Sequence, residues 1–184
     1  MHLVIGRDGL IGSAIVTELH RRGLPCSGTT RRDRTDAMFL DLSEPIDAEN
    51  LIPSWTGVIY LVAAMPKFQD CALEREAWRV NVDAPIALAR PYASASRGVF
   101  VVFISSDAVE WSSEALARQK AHVESYMRTI NAAIIRPARV TQERAPEFAS
   151  FVVQKALDQH VGVSYWPPAV PQPISVATLL HAVP

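Results

Sequence analysis

The stretch HLVIGRDGLIGSAIVTELHRR, residues 2–22, decides how the rest of the chain is read. His2–Gly6 has the apolar run of a buried strand. Leu10–Arg22 has the period of a helix, with Ile11, Ile15 and Leu19 on one face. Between them stand Gly6, Gly9 and Gly12, spaced G-x-x-G-x-x-G. The first glycine permits a tight turn, the second lets the backbone approach a pyrophosphate, and the third lets the helix pack closely on the strand. The start of the helix then offers free N–H groups and the positive end of its dipole to an anion. A strand, a glycine turn and a helix in this order predict a dinucleotide site, with Gly6, Arg7, Gly9, Leu10, Ile11 and Gly12 around the phosphates.

Outward from this unit, apolar runs of strand length alternate with longer amphipathic segments. Pro25–Thr30 and Ala37–Leu40 are short strand candidates. Gly57–Ala63 and Gly98–Ile104 are apolar throughout, as parallel strands covered on both faces must be. Gln69–Ala95 has a helical pattern that Pro85 and Pro91 break or bend. Ser112–Thr129 reads as a helix with Ser112 or Ser113 as N-cap. Asn131–Ile135 is a strand, Ala145–Gln159 a helix, Gly162–Trp166 a strand and Ser175–Val183 a closing helix. The alternation predicts an α/β fold with a doubly wound parallel sheet of Rossmann type. All 184 residues form one domain, with no internal boundary or repeat.

Composition narrows the function classes. The net charge of −1 gives no general affinity for nucleic acid or an acidic membrane. No apolar run has the length of a membrane span, and residues 1–8 lack the pattern of a secretory leader. Cys26 and Cys71 lie far apart without metal-ligand spacing, as expected of thiols in a reducing compartment. The expectation is a cytoplasmic protein without a metal, acting on a small molecule.

The second strand candidate ends at Thr30-Arg31-Arg32. An acid at that point would accept from the ribose 2′-OH of NAD, and none stands there before Asp33. Arg31 or Arg32 suits the 2′-phosphate of NADP instead. The expected cofactor is therefore NADP, with NAD second.

Taken in order, these segments resemble the extended short-chain dehydrogenase/reductase family, in its NAD-dependent epimerase and dTDP-4-dehydrorhamnose reductase-like branch. VIGRDGLIGSAIVTEL matches the family's glycine turn and first helix. The resemblance implies that Asp41-Leu42 contacts adenine, and that Val62, Ala63 and Ala64 border the cofactor. It further implies that Asn81, in RVNVDAPIALA, belongs to the cofactor side, and that Ser106 in VFISSD is the active-site hydroxyl. Lys120 takes the place of the lysine in the family's Tyr-x-x-x-Lys pair, serving both catalysis and the nicotinamide ribose. Ile135-Arg136-Pro137 and Pro173-Ile174-Ser175-Val176 match later family segments.

Two departures stand out. Four residues before Lys120 is Leu116, which cannot give or take a proton. Tyr126 is no substitute, because Ile130 follows it at the lysine spacing. Asp107, Glu110 and Glu114 are carboxyls that a dry cleft would raise toward neutral pKa. The part after Pro137 is also short for the family, so residues 138–184 read as a reduced substrate-binding part. A homodimer that completes the crevice wall is the corresponding expectation. His122, Lys67, Gln69 and Asp70 read as helix-surface and loop residues, and no hydrolase elbow or metal motif is present. Three functions stay open on these residues: NADP-linked redox chemistry on a small carbonyl, hydroxyl or nucleotide-sugar-like substrate; non-redox chemistry such as dehydration, isomerisation or cyclisation; and a non-catalytic NADP-binding module.

Overall fold

The computed structural model describes residues 1–54, 56–62, 71–93 and 98–166. The described chain runs β1 (His2–Ile5), α1 (Leu10–Arg21), β2 (Cys26–Gly28), α2 (Ala48–Leu51), β3 (Val58–Leu61), α3 (Cys71–Trp78), α4 (Ala84–Ala89), β4 (Phe100–Ile104), α5 (Ala115–Thr129), β5 (Ala133–Pro137), α6 (Ala145–Leu157) and β6 (Gly162–Trp166). The strands form one parallel sheet in the order β2-β1-β3-β4-β5-β6. Strand order reverses between β1 and β3, which is where open α/β sheets bind ligands at their carboxyl ends.

Period-two alternation divides the strand residues between two cores. Leu3, Ile5, Ile59, Leu61, Val101, Phe103 and Ile134 pack with Leu88, Val123 and Met127 on one face. Val4, Tyr60, Val102, Ile104 and Ile135 pack with Ile15, Leu19, Phe148 and Val152 on the other. The central strands β1, β3, β4 and β5 are apolar on both sides because helices cover both sides, as a doubly wound sheet requires.

Three expectations need correction. Ala37–Leu40 does not form a strand: it contributes one isolated parallel bridge, Thr30 to Phe39. Neighbouring residues are instead held in turns, with Asp36 Oδ1 accepting from Met38 N and Asp41 Oδ1 from Ser43 N. The N-cap of α5 is Glu114, not Ser112 or Ser113. Residues 107–110 form a 3₁₀ turn first, and the Ser112 hydroxyl accepts from the Glu114 N–H instead of capping a longer helix. The helical stretch around Pro85 widens as well as bending. Arg79–Asp83 is a π segment in which the Ala84 N–H donates to the Arg79 carbonyl. Pro85 has no N–H for the Asn81 carbonyl and its ring crowds that position, which the wider turn accommodates. The expected closing helix at Ser175–Val183 lies outside the described residues.

Candidate dinucleotide site

The glycine turn is fastened to the end of β2. Gly6 N donates to Thr29 Oγ1 at 2.9 Å, Arg7 N to the Thr29 carbonyl at 3.0 Å, and Thr29 N to the Val4 carbonyl at 2.9 Å. Gly6 has φ +91°, a left-handed conformation that favours glycine. At Gly12 a Cβ would lie 2.1 Å from the Gly6 carbonyl oxygen, so the helix can sit this close to the strand only without a side chain. Gly9 differs from both. It is the N-cap of α1, and a Cβ there would meet nothing nearer than the Gly6 oxygen at 3.7 Å. No side chain caps α1 and no acid stands in its first turn. Its leading N–H groups therefore have no intrahelical acceptor.

These groups open into a cleft of about 630 Å³ at the carboxyl ends of β1, β2 and β3. Of the residues expected at the cofactor, Gly6, Gly9, Leu10, Ile11, Gly12, Thr30, Arg31, Leu42 and Val62 line it. The structure adds Asp8, Leu40 and Val80 to the wall, none of which the glycine spacing marks. The other expected residues lie elsewhere. Arg7 lies over Gly28, where a Cβ would come within 2.7 Å of its own, and its guanidinium donates to Asp36. Arg32 is 77% exposed and turns back to donate to the Asp8 carbonyl at 3.2 Å. The Asp41 carboxylate accepts from both the N–H and the hydroxyl of Ser43, and these bonds hold its pKa below the usual range. Asn81 is buried and donates to Gln119 of α5 at 2.8 Å. Ala63 and Ala64 lie outside the described residues, as do Lys67, Gln69 and Asp70.

At the end of β4 the polar groups are engaged by protein. Lys120 is buried and its Nζ donates to the Ile104 carbonyl at 2.7 Å, with the Phe103 ring 4.8 Å away. That carbonyl lies one residue beyond the last β3–β4 rung, Leu61 to Phe103, so the ammonium takes up an acceptor where the ladder stops. Burial lowers the Lys120 pKa to about 8. The Ser106 hydroxyl accepts from the Ala108 N–H at 3.2 Å and caps the 3₁₀ turn. Ser105, which sequence reasoning passed over, donates to buried Glu124 at 2.6 Å. Glu124 also accepts two bonds from the Arg136 guanidinium, at 2.8 and 2.6 Å. Burial pushes the Glu124 carboxyl up, and its bonds from Arg136 and Ser105 outweigh that and hold it low. The remaining Arg136 nitrogen donates to Glu110 and to the Tyr165 hydroxyl, which itself donates to Glu110. Of the three carboxyls considered as acids, Glu110 is thus held in this network, while Asp107 lies in the 3₁₀ turn and Glu114 is exposed at the start of α5. Leu116, one turn before Lys120, is half-buried.

A parallel sheet with a glycine cradle at its switch point, and a Ser strand followed by a lysine helix, is the architecture of the short-chain dehydrogenases and reductases. Within it, the chain belongs to the family described as the RmlD substrate binding domain, whose model matches residues 1–171. A short-chain dehydrogenase/reductase from Brucella ovis, solved with a partially ordered NAD, superposes with a TM-score of 0.74 at 19% identity, over 90% of this chain and 98% of that one. A dTDP-4-dehydrorhamnose reductase from Clostridium acetobutylicum gives 0.72 at 18% identity, over 90% and 73%. MoeE5, in complex with UDP-glucose and NAD, gives 0.62 at 22% identity, over 74% and 53%. At these identities the shared property is the fold. No curated protein matches the chain. Among the described residues no helix is long and apolar enough to cross a membrane, and no group of three acidic, histidine or cysteine side chains is placed to hold a metal.

Proposed function

We propose that the chain binds NADP(H) in the cleft at β1 and β3 and acts as a reductase on a small carbonyl compound of the nucleotide-sugar kind. The observation that carries this reading is the uncapped start of α1, set in a cleft whose wall also holds Arg31. The groups present fit the ligand. Leading N–H groups and the helix dipole suit a pyrophosphate. Open space at the Gly9 Cβ position leaves room for its approach. Arg31 forms no ion pair within 4 Å among the described residues, and suits a 2′-phosphate. Leu42 and Val80, apolar residues lining the same cleft, suit an adenine. When bound, the nicotinamide would supply hydride. Lys120 stands beside β4, and the resemblance assigns it to the nicotinamide ribose; Ser106 would orient a substrate oxygen. The substrate would approach over the carboxyl ends of β4 to β6, and a second copy of the chain would complete that side.

One observation favours a second reading. Lys120, Ser106 and Glu110 all have protein partners, and by the family resemblance Leu116 takes the place of the proton donor. An NADP-binding module with little or no turnover fits those contacts.

Calorimetric titration with NADPH and NADH tests the cofactor, and NADPH oxidation with a nucleotide-linked keto sugar tests the chemistry. NADPH should bind the more tightly, and Arg31→Ala should cost about tenfold in NADPH affinity with little change for NADH, as the loss of one charge-assisted contact implies. Equal loss for both cofactors would remove the 2′-phosphate assignment. Binding without turnover would decide for the second reading.

A further inference from the structure

The end of β2 carries no acid of its own, yet the fold delivers one there from the glycine turn. Asp8, between Gly6 and Gly9, places its Oδ2 2.6 Å from the Thr30 hydroxyl, which donates to it. Thr30 lies two residues beyond β2, where it forms an isolated bridge to Phe39. The Asp8 side chain is 26% exposed and lines the cleft together with Thr30 and Arg31. Around it stand Arg7, with Nε 3.9 Å from Oδ1, and Arg32, with Nε 4.0 Å from Oδ2. Both arginines are engaged, Arg7 with Asp36 and Arg32 with the Asp8 backbone. Arg31 thus shares the cleft wall with a carboxylate.

We infer that Asp8 is a specificity-determining ligand of the adenosine ribose, opposing Arg31 in the choice between NADPH and NADH. The inference rests on the dinucleotide reading above and deepens it. A carboxylate at the end of β2 accepts from a ribose 2′-OH, and the same carboxylate repels a 2′-phosphate. Arg31 acts with the opposite sign on the 2′-phosphate and hardly at all on the neutral 2′-OH. With the two in one wall, discrimination in the wild type is narrow, and each side chain holds it in check. Arrival by way of the glycine turn explains why residues 29–32 hold no acid and only the arginines stand out.

Asp8→Asn separates charge from structure, because its amide oxygen still accepts from Thr30. Wild type and variant are titrated with NADPH and with NADH, and thermal unfolding is measured without ligand. The ratio of NADPH to NADH affinity should rise about tenfold in the variant, NADH weakening and NADPH strengthening, with the melting temperature held. Asp8→Ser supplies the same readout should the asparagine variant fold poorly. A ratio unchanged within about twofold in a folded variant overturns the inference while leaving dinucleotide binding intact. A folded wild type that binds neither cofactor overturns the underlying reading, and this one with it.

Discussion

The carboxyl ends of β1 and β4 lie at the same edge of the sheet, but their polar groups are disposed differently. At β1 the turn holds its groups toward empty space. The leading N–H groups of α1 are uncapped, Gly9 has open space at Cβ, and Asp8 and Arg31 look into the cleft. At β4 the groups face inward. Lys120 is bound to Ile104, Ser106 to Ala108, Ser105 to Glu124, and Glu124 to Arg136. Buried polar groups find partners because leaving them without one costs about 1–3 kcal/mol each. Donors left open in a concave site are therefore the better sign of a ligand. By that measure the β1 end is built to bind, and the β4 end, as it stands, is built to hold the sheet to α5.

Two glycine substitutions should break the comparison within the β1 end itself, and they carry the largest effects. Gly12→Ala puts a methyl 2.1 Å from a backbone oxygen, so helix and strand must part. A loss of about 4 kcal/mol or more is expected, together with all cofactor binding. Gly9→Val meets no such obstacle in the protein. It should cost about 1 kcal/mol as a poorer N-cap, yet lower dinucleotide affinity more than about a hundredfold. Thermal unfolding and calorimetry on the two variants read the difference. Retained binding in Gly9→Val would make the turn a purely structural device.

At the β4 end the largest effect should come from Glu124→Gln. The Arg136 side chain is only 9% exposed, and the substitution leaves its guanidinium without the buried counterion that receives two of its bonds. Breaking one partner of a buried pair costs about 3–5 kcal/mol. Denaturant unfolding should show that loss while NADPH affinity stays within about twofold. A matching fall in affinity would mean the network reaches the cofactor, and the contrast between the two ends would dissolve.

Lys120 gives the comparison a pH axis. Burial lowers its pKa to about 8 from an ordinary 10.5, so the unfolded chain holds that proton more tightly than the folded one. Folded stability therefore carries the full cost below about pH 8 and recovers it as pH rises toward about 10.5. Wild type measured against Lys120→Met should gain up to about 3 kcal/mol between about pH 7 and about pH 10. A flat difference across that range would show that the amine reaches water through the crevice, which would move Lys120 from the β4 network to the cleft.

These contrasts also mark what the sequence reveals of the fold and site. The glycine turn and the apolar strands are legible because their signals are local: three glycines at fixed spacing, and runs such as GVFVVFI whose residues alternate between two cores. The strand expected at Ala37–Leu40 fails because Asp36 and Asp41 bond their own backbone neighbours more readily than a sheet edge. Asp8 and Gly28 escape notice because their roles depend on how closely the turn approaches β2, which separations of 20 and more residues conceal. Arg31 and Arg32 look equivalent as neighbours in sequence, and only the fold aims one into the cleft and the other at Asp8. Lys120 is picked out by the family resemblance, as the lysine of the helix after the Ser strand, but the direction of its amine depends on where the β3–β4 ladder ends.

The smallest expected effect is the most informative for chemistry. Leu116→Tyr returns a phenol one turn before Lys120, at a half-buried position where it should change stability by less than about 0.5 kcal/mol. A well-positioned general acid contributes about 10²–10⁴-fold to rate. Much less is expected here. The Lys120 ammonium that would lower the phenol's pKa donates to the Ile104 carbonyl, and the Ser106 hydroxyl that would share the substrate oxygen accepts from Ala108. A phenol placed beside engaged partners should raise NADPH-dependent reduction of a simple ketone by less than about tenfold. A gain of a hundredfold or more would mean that cofactor binding draws Lys120 out of its contact with β4. The inward-facing end would then be a resting arrangement of an active site, and Leu116 the one substitution that separates this chain from an efficient reductase.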